Sequence, residues 1–420
     1  MHRTHLTYVI LPHSADWDFC PALDEAARRH AVKIAILANN YGEPWAEGGK
    51  NNVRQVALAL AKRHEVFVAG LGPVTDRRVV DGLPVFRYRS PWYANRFARV
   101  GYPLGYLNLI AQGRLLLRAE LPDVIFSYFE TASTALVSVG LRSVALPGST
   151  LLHTVWSDWF TPTLLPASHW MSEFLPQLVL NSRFASRVGL MGVDRILATS
   201  RHLGRQIESV GRRATFTPTG VDTLRFRPRP EIRERKVAGE FRVGYVGHFT
   251  YTKGVSLLLE AFAGLAEAEP GARLVLAAAG DFEESVAVRK DRHPRIEQLG
   301  FVDTPEAFNS FDLTVLPRRY SYGTASYPNV ILESMACGTP VLTARLPAIE
   351  ELITDGVDGF LFRPNDLGDL RAKLLALARE PELLVRAGLK ARERAELLDW
   401  SLVLPSVLDE VERCPPLSRV

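Results

Sequence analysis

The sequence lacks the features that mark several classes of protein. No apolar run reaches the roughly 18 residues that a membrane-spanning helix needs, because the best candidate, residues 131–147, is interrupted by Arg142. The three cysteines, Cys20, Cys337 and Cys414, lie far apart and form neither a zinc-binding spacing nor a disulfide framework. The N-terminus has no long apolar core followed by a small-residue cleavage site, which predicts that there is no signal peptide. We therefore expect a cytoplasmic protein, and peripheral contact with the inner face of a membrane stays open.

The net charge is small and unevenly distributed. The 420 residues include 50 lysines and arginines and 46 acidic residues, and a net charge of +4 is too small to indicate a nucleic-acid partner. Residues 1–215 hold 24 basic and 16 acidic residues, whereas residues 216–420 hold 26 and 30. The change falls beside a proline-rich stretch (TPTG, then RFRPRPEIR), which is typical of a domain boundary. The sequence therefore predicts one domain over 1–215 and a second that begins at residue 216.

Short apolar strands alternate with amphipathic helices in both halves. The predicted strands are VKIAILANN, HEVFVAGL, PDVIFSYF and RILATS in the first half, and EFRVGYVGHF, ARLVLAAAGD, FDLTVLP and PVLTA in the second. Helical spacing occurs from about Asn51 to Arg63, in VSLLLEAFAGLAEA and in NVILESMACG. This alternation indicates βαβ units, so the predicted fold class is α/β with two doubly wound parallel-sheet domains. Ligands of such sheets bind beyond the carboxyl ends of the strands, here in a cleft between the domains.

Residues 327–366, YPNVILESMACGTPVLTARLPAIEELITDGVDGFLFRPND, are the most informative stretch. A loop ends at Pro328, a good residue for the first turn of a helix, and the predicted helix carries Glu333 and stops at Gly338. The free N–H groups and positive dipole at such a helix start suit an anionic ligand. Glu333 could then accept hydrogen bonds from a pair of sugar hydroxyls. The alternative, that Glu333 is a solvated helix residue and the rest is core, stays open on spacing alone.

This stretch resembles the signature of retaining glycosyltransferases of the GT-B fold, family four. Further segments match in order: AEGGKNNVRQVALALAKRHEVFV, RILATSRHLGRQI, GYVGHFTYTKGVSLLLEAF, LVLAAAGD, IEQLGFVDTPEAFNSFDLTVLP and LLDWS. The resemblance implies two Rossmann-like domains that face a cleft. It implies an acceptor-side domain over 1–215, a nucleotide-sugar domain over 216–398 and a C-terminal segment, 399–420, that packs back on the first domain.

The resemblance also implies how a nucleotide sugar is held. Lys253 would contact the diphosphate, and Glu333 would hold the ribose hydroxyls. The backbone around Gly300–Val302 would lie near the base. The full set implied for the donor site is Gly48, Gly49, Gly247, Lys253, Gly300, Phe301, Val302, Pro328, Asn329, Val330 and Glu333. For Gly48 and Gly49 a simple turn is the alternative, and Gly247 is expected to serve the geometry of its loop more than the chemistry.

Three positions depart from the family pattern. Ala325 stands where a second glutamate usually lies, eight residues before Glu333, and His248 stands where an arginine usually follows the glycine of the phosphate loop. The histidine of the first domain is matched by LLHTVWSDW in two ways, which place either Trp156 or His153 near the site. We expect His153 there, although a lone histidine in an apolar strand is more often a satisfied core residue.

The resemblance implies a hexosyltransferase that moves a sugar from a nucleotide diphosphate sugar to a sugar, glycan or lipid-linked acceptor with retention. Lys253, His153 and His248 would be its catalytic residues, and front-face attack would let the departing phosphate deprotonate the acceptor. No metal and no cofactor besides the nucleotide-sugar co-substrate is expected. Two alternatives stay open: a catalytically silent GT-B relative that binds a nucleotide sugar or a partner protein, and a nucleotide-sugar epimerase.

Residues 82–119 contain six arginines, interleaved aromatic residues and no acidic residue. Arginine with aromatic residues is suited to anionic headgroups or phosphorylated acceptors. The sequence therefore predicts an acceptor-side surface, or contact with an anionic membrane, at Arg87, Arg89, Arg96 and Arg99. A solvated face over ordinary core aromatics is the alternative. Nucleic acid is not predicted as a partner, because no nucleic-acid-binding module is present.

Overall fold

The computed structural model describes residues 31–43, 45, 48–90, 98–158, 182–234, 239–277, 293–300, 302–321 and 325–416, and for 98–103 the backbone alone. These residues form two α/β domains, each built on a largely parallel sheet. The predicted fold class is confirmed.

The first domain contains an eight-stranded sheet with the order β3-β4-β2-β1-β5-β6-β7-β8. Its strands are β1 (Lys33–Leu37), β2 (Glu65–Gly72), β3 (Asp76–Val80), β4 (Leu83–Arg89), β5 (Val124–Ser127), β6 (Thr150–Val155), β7 (Arg195–Ala198) and β8 (Thr215–Phe216). All neighbours run parallel except β3 and β4, which form an antiparallel hairpin at one edge. The turn of the hairpin is Asp81-Gly82, with φ values of 53° and 79°, a dipeptide that favours tight hairpin turns. The sequence analysis did not include this antiparallel edge hairpin, which adds to the predicted parallel sheet.

The helices of the first domain connect its parallel strands. They are α1 (Gly48–Ala61), α2 (Ala98–Glu120), α3 (Ala135–Ala145), α4 (Arg183–Met191) and α5 (Arg201–Ser209). In α1 the buried apolar residues Val53, Val56, Ala57 and Leu60 recur at helical spacing. This stripe lies against the sheet and agrees with the helix predicted from about Asn51 to Arg63.

The second domain contains a six-stranded parallel sheet with the order β11-β10-β9-β12-β13-β14. Its strands are β9 (Phe241–Val246), β10 (Ala272–Ala277), β11 (Ile296–Leu299), β12 (Leu313–Leu316), β13 (Val341–Ala344) and β14 (Phe360–Phe362). Its helices are α6 (Pro230–Arg233), α7 (Val255–Ala268), α8 (Thr304–Ser310), α9 (Asn329–Ala336), α10 (Ile349–Leu352), α11 (Leu367–Ala378) and α12 (Pro381–Glu396).

Each sheet has a point where the strand order reverses. In the first domain the chain moves outward from β1 on one side and from β5 on the other, and β1 pairs with β5. In the second domain the same reversal lies between the paired strands β9 and β12. Loops that leave the carboxyl ends of such strands diverge and leave a crevice, which is where ligands of open α/β sheets bind.

The chain crosses between the domains twice, and the two crossings are bonded to each other. Val221 donates its N–H to the Leu398 carbonyl at 2.9 Å, and Trp400 donates to the Val221 carbonyl at 3.1 Å. The Asp399 carboxylate accepts from the N–H of Thr223 at 3.1 Å and from its hydroxyl at 2.6 Å. After the second crossing the last helix, α13 (Trp400–Glu412), contributes Val407 and Val411 to the core beneath α1.

Candidate functional site

The loops that follow β9 and β12 meet at the strand-order reversal of the second sheet. Lys253 ends a turn of 3₁₀ helix, Tyr251–Lys253, that follows β9 and precedes α7. Glu333 lies on α9, which follows β12. The carboxyl ends of two paired parallel strands share one edge of a sheet, so the loop that carries Lys253 and the segment that leads to the helix of Glu333 leave the sheet at the same edge.

Gly254 allows the Lys253 loop to press against the loop after β12. Its φ is +71°, and a Cβ atom at this position would lie 2.1 Å from the Pro317 carbonyl oxygen. Only glycine satisfies both conditions, because other residues rarely adopt such a φ and their Cβ would clash with the backbone. Close packing of the two loops places Lys253 near Arg318, the residue that follows Pro317.

Lys253, which is half-buried, and Arg318, which is buried, are two neighbouring cations. Burial lowers the pKa of Lys253 to about 8, and the charge of Arg318 is the second, smaller cause. Burial also lowers the pKa of Arg318 to about 10, although Asp158 acts in the opposite direction. Among the described residues, no carboxylate forms an ion pair or hydrogen bond with Lys253. Two neighbouring positive charges with little access to water repel each other, so the pair is suited to an anionic ligand.

Glu333 provides a carboxylate on the adjacent helix. Burial raises its pKa to about 7, and the charge of Arg225 acts in the opposite direction. Within the described part of the chain the carboxylate forms no hydrogen bond. An ionised carboxylate is an acceptor only, so it suits a ligand with neighbouring hydroxyl donors.

The starts of α9 and α1 face each other across the crevice. Pro328 precedes α9, which has no side-chain cap, so the N–H groups of its first residues, Asn329 and Val330, lack an intrahelical partner. The Asn329 amide donates to Asn52 Oδ1 at 3.1 Å and lies 3.4 Å from the Gly48 carbonyl oxygen. A Cβ atom on Gly48 would lie 3.0 Å from the Asn329 side chain. The predicted glycine loop therefore touches the second domain next to the predicted anion site.

Three consecutive residues after β6 contact the second domain. Trp156 accepts the N–H of Ser326 at 2.9 Å through its carbonyl. Ser157 pairs with Ala325 in an isolated antiparallel bridge. Asp158 accepts hydrogen bonds from His202, Gln206 and Ser321, and these outweigh its burial and hold the pKa of its carboxyl well below the usual range. The two domains are thus joined at the mouth of the crevice.

His153 does not reach this crevice, and its predicted placement is corrected. Its side chain is fully buried, Nδ1 accepts from the Ser127 hydroxyl and Nε2 donates to the Thr131 carbonyl, both at 2.8 Å. Burial lowers its pKa to about 4. Because β6 continues to Val155, the first residue to emerge beyond the strand is Trp156, whose indole would lie 3.5 Å from a Cβ atom on Gly49. Of the two alignments of LLHTVWSDW, the structure favours the one that places Trp156 in the crevice.

The remaining predicted residues of the second domain are distributed as follows. Gly247 follows β9 with a φ of +148°, a conformation suited to glycine, and its N–H bonds the Ala277 carbonyl. The backbone carbonyl of His248 accepts the Tyr245 hydroxyl at 2.6 Å. Gly300 and Val302 follow β11, two strands from β9, and Val302 packs on the core. Phe301 lies outside the described residues.

The arginines of residues 82–119 do not form one free surface. Arg87 is buried and binds Asp76 of the edge strand β3 through two hydrogen bonds of 2.7 and 2.5 Å. The prediction that Arg87 serves an acceptor is therefore corrected, because a neighbouring strand supplies the acid that its own segment lacks. Arg89 is exposed. Arg96, and the side chain of Arg99, lie outside the described residues.

The sequence did not single out Arg318 or Glu130. Arg318 is followed by Arg319, and nothing in the sequence shows which of the two turns inward. Glu130 lies just beyond the carboxyl end of β5, at the strand-order reversal of the first sheet. A lone acidic residue directly after a predicted central strand (PDVIFSYF) is the signal that could have found it.

The described residues contain no group of three or more histidine, cysteine or acidic side chains arranged to hold a metal ion. None of the described helices is both long and apolar enough to cross a bilayer.

Comparison with known proteins points to one family for both domains. Residues 240–380 match the family "Glycosyl transferases group 1", and residues 47–219 match "Glycosyl transferase 4-like domain". These two matches together span most of the chain.

Curated relatives are moderately similar. The chain is 29% identical to D-inositol 3-phosphate glycosyltransferase of Nocardiopsis dassonvillei over 53% of this chain and 56% of that protein. It is 26% identical to GDP-mannose-dependent alpha-(1-6)-phosphatidylinositol dimannoside mannosyltransferase of Mycobacterium tuberculosis over 90% and 95% of the two chains. The chain thus spans little more than half the length of some of the curated relatives it matches, the first of these among them.

A solved structure shares the architecture. Sucrose-phosphate synthase from Thermosynechococcus elongatus superimposes with a TM-score of 0.77 at 19% identity, over 91% of this chain and 98% of that one. At this identity the likeness concerns the fold.

Proposed function

The chain belongs to the group 1 glycosyltransferases, and from this premise we propose that it transfers a hexosyl unit from a nucleoside diphosphate sugar to a sugar, glycan or lipid-linked acceptor with retention. The observation that carries the proposal is the pair Lys253 and Arg318. Two cations with lowered pKa values share a crevice, and Lys253 has no acidic partner among the described residues. A diphosphate neutralises both, and its charge grows as the sugar leaves.

The other groups of the crevice fit the rest of such a donor. The Glu333 carboxylate would accept hydrogen bonds from the two ribose hydroxyls. The free N–H groups at the start of α9 would face phosphate oxygens. Arg318 supplies the positive charge that His248 does not provide at the position after Gly247. The proposal needs no metal ion, because the chain itself provides two cations for the leaving group.

In the proposed reaction the bond between the anomeric carbon and the β-phosphate oxygen breaks. The acceptor hydroxyl oxygen bonds the same carbon from the same face, and its proton passes to the departing phosphate. Lys253 and Arg318 stabilise the charge on that phosphate, and the crevice holds both substrates in register. None of these steps requires a protein nucleophile, which is consistent with the burial of His153.

The relative from Mycobacterium tuberculosis is named for a phosphatidylinositol-linked acceptor, and this supports a lipid-linked acceptor here. Of the predicted acceptor-side arginines whose side chains the structure describes, Arg87 is buried and Arg89 is exposed. Co-sedimentation with vesicles of pure phosphatidylcholine, and with vesicles that also contain phosphatidylinositol, tests this part. Equal absence of binding to both vesicles would remove the membrane contact and leave the transfer reaction untouched.

The transfer reaction is tested with purified protein and separate UDP-glucose, UDP-galactose, ADP-glucose and GDP-mannose. We expect one donor to release free nucleoside diphosphate faster when inositol phosphate or phosphatidylinositol is added. The anomeric configuration of the product, read by NMR, should match that of the donor. Tight nucleotide binding without turnover would favour the catalytically silent alternative, to which Ala325 and His248 also point. Interconversion of the sugar without any acceptor would indicate an epimerase.

A further inference from the structure

Glu130 lies at the crevice, and its structural contacts are made by its backbone carbonyl and not by its side-chain carboxylate. Its carbonyl oxygen accepts the N–H groups of Trp156 and Ser157, both at 3.3 Å. These bonds tie the loop after β5 to the loop after β6. They would be retained with any side chain at this position, so they do not explain why the side chain is acidic.

The negative charge of the Glu130 carboxylate has little stabilisation from the residues around it. The residue is half-buried, and burial raises the pKa of its carboxyl to about 7, against which a hydrogen bond from Ser157 acts. No cation among the described residues contributes to this pKa. A carboxylate that is shielded from water without a positive partner reduces stability, and such groups concentrate where a ligand completes their hydrogen bonds.

The position of Glu130 relates it to the proposed diphosphate site. Ser157, which bonds the carboxylate, pairs through its backbone with Ala325 of the second domain. The Ala325 carbonyl in turn accepts a hydrogen bond of 3.1 Å from the Arg318 guanidinium. Glu130 therefore lies on the first-domain side of the crevice, separated from Arg318 by one pair of bridging residues.

We propose that Glu130 binds hydroxyl groups of the transferred hexosyl unit, from the first-domain wall of the crevice. This rests on the proposed function. A sugar joined to a diphosphate at Lys253 and Arg318 extends away from the nucleotide toward the opposite wall, where Glu130 faces it. Ala325 has no polar side chain, so this residue does not compete with Glu130 for the sugar hydroxyls. A carboxylate accepts several hydrogen bonds, and Ser157 supplies one of them.

The test separates the sugar from the nucleotide. Dissociation constants are measured by titration calorimetry on the full chain for the diphosphates UDP, ADP and GDP and for UDP-glucose, UDP-galactose, ADP-glucose and GDP-mannose. The proteins are the unchanged chain, Glu130→Gln, Glu130→Ala and the control Glu208→Gln, which alters an exposed carboxylate on α5. The glutamine variant keeps the size of the side chain and removes its charge, so it also guards against a folding defect of the alanine variant.

For the nucleotide that binds, we expect each variant to bind the diphosphate within about twofold of the unchanged chain. The dissociation constant for the matching nucleotide sugar should rise about tenfold or more in Glu130→Ala, as expected for loss of a charge-assisted hydrogen bond. Glu130→Gln should show a smaller rise, and Glu208→Gln none.

Unchanged affinity of Glu130→Ala and Glu130→Gln for the nucleotide sugar, with diphosphate binding intact, would overturn this inference alone. An equal loss of affinity for diphosphate and nucleotide sugar would also overturn it, because Glu130 would then act on the nucleotide or on the fold. If the unchanged chain binds none of the three diphosphates, the proposed function fails and this inference fails with it.

Discussion

Replacing Lys253 by methionine should affect ligand binding and stability in opposite directions. The lysine is held beside Arg318 without an acidic partner among the described residues, so the folded chain is destabilised by its charge. The pKa falls from 10.5 to about 8, and at 1.36 kcal/mol for each unit this corresponds to at most about 3 kcal/mol. Lys253→Met has a similar length and no charge, so we expect the free protein to become more stable by up to that amount.

The same substitution should weaken diphosphate binding. A hydrogen bond to a charged group contributes about 1.5–3 kcal/mol, so the dissociation constant for the nucleoside diphosphate should rise by roughly 10- to 150-fold. Titration calorimetry gives the affinity, and denaturant unfolding gives the stability. Lys62→Met, which removes an exposed lysine, is the matched control and should change neither quantity appreciably.

The pH dependence gives an independent check. The folded-state pKa of Lys253 is lower than its unfolded value, so the destabilisation is complete below about pH 8 and is relieved as the pH rises from 8 toward 10.5. The stability difference between Lys253→Met and the unchanged chain should therefore shrink over this range. Diphosphate binding to the unchanged chain should weaken above pH 8. Equal diphosphate affinity of the two proteins, or a free Lys253→Met that is less stable than Lys62→Met, would refute the reasoning.

Three further predictions concern other parts of the chain. Glu333→Gln should weaken binding of the nucleoside diphosphate about tenfold but leave inorganic pyrophosphate binding unchanged by calorimetry. Since burial raises the pKa of Glu333 to about 7, nucleotide affinity should fall below pH 7 in the unchanged chain and less in the variant. Gly254→Ala, whose Cβ would lie 2.1 Å from the Pro317 carbonyl oxygen, should lower the free energy of unfolding by about 2 kcal/mol or more. The control Gly204→Ala, which meets no atom within 4 Å, should not be destabilised. Burial lowers the pKa of His153 to about 4, so the folded chain keeps this histidine neutral while the unfolded chain protonates it. The free energy of unfolding should therefore fall by up to about 3 kcal/mol as the pH falls from 6.5 to 4. His153→Asn should lose this pH dependence in thermal melts.

The sequence predicted the sheets well because their central strands are short apolar runs between amphipathic helices. It missed the β3–β4 hairpin because DRRVV carries charged residues and resembles a loop, although the Asp81-Gly82 dipeptide was an available signal. The placement of His153 depended on a choice between two alignments of LLHTVWSDW that differ by three residues. Because β6 ends at Val155, that shift separates a buried strand position, His153, from the first residue beyond the strand, Trp156.

Within the proposed site, Lys253 and Glu333 could be predicted from the sequence because each lies in a segment with a recognisable pattern. Arg318 could not, because its partner Lys253 is distant in sequence and meets it only when Gly254 packs against Pro317. Its neighbour Arg319 has the same side chain but turns elsewhere, where it bonds Ser256 and lies over the Tyr251 ring. Which of two adjacent arginines enters a crevice is decided by tertiary packing and not by local sequence.

The bonded pair of crossings means that the first domain is discontinuous along the chain, whereas the second is continuous between them. A fragment that ends near residue 215 would lack α13 and would expose the apolar surface that Val407 and Val411 cover. A first lobe intended to fold alone must therefore include the C-terminal helix, for example by joining it ahead of residue 31 in a permuted chain. For the intact protein, we expect two crossings that are hydrogen-bonded side by side to allow rotation of one domain against the other more readily than sliding.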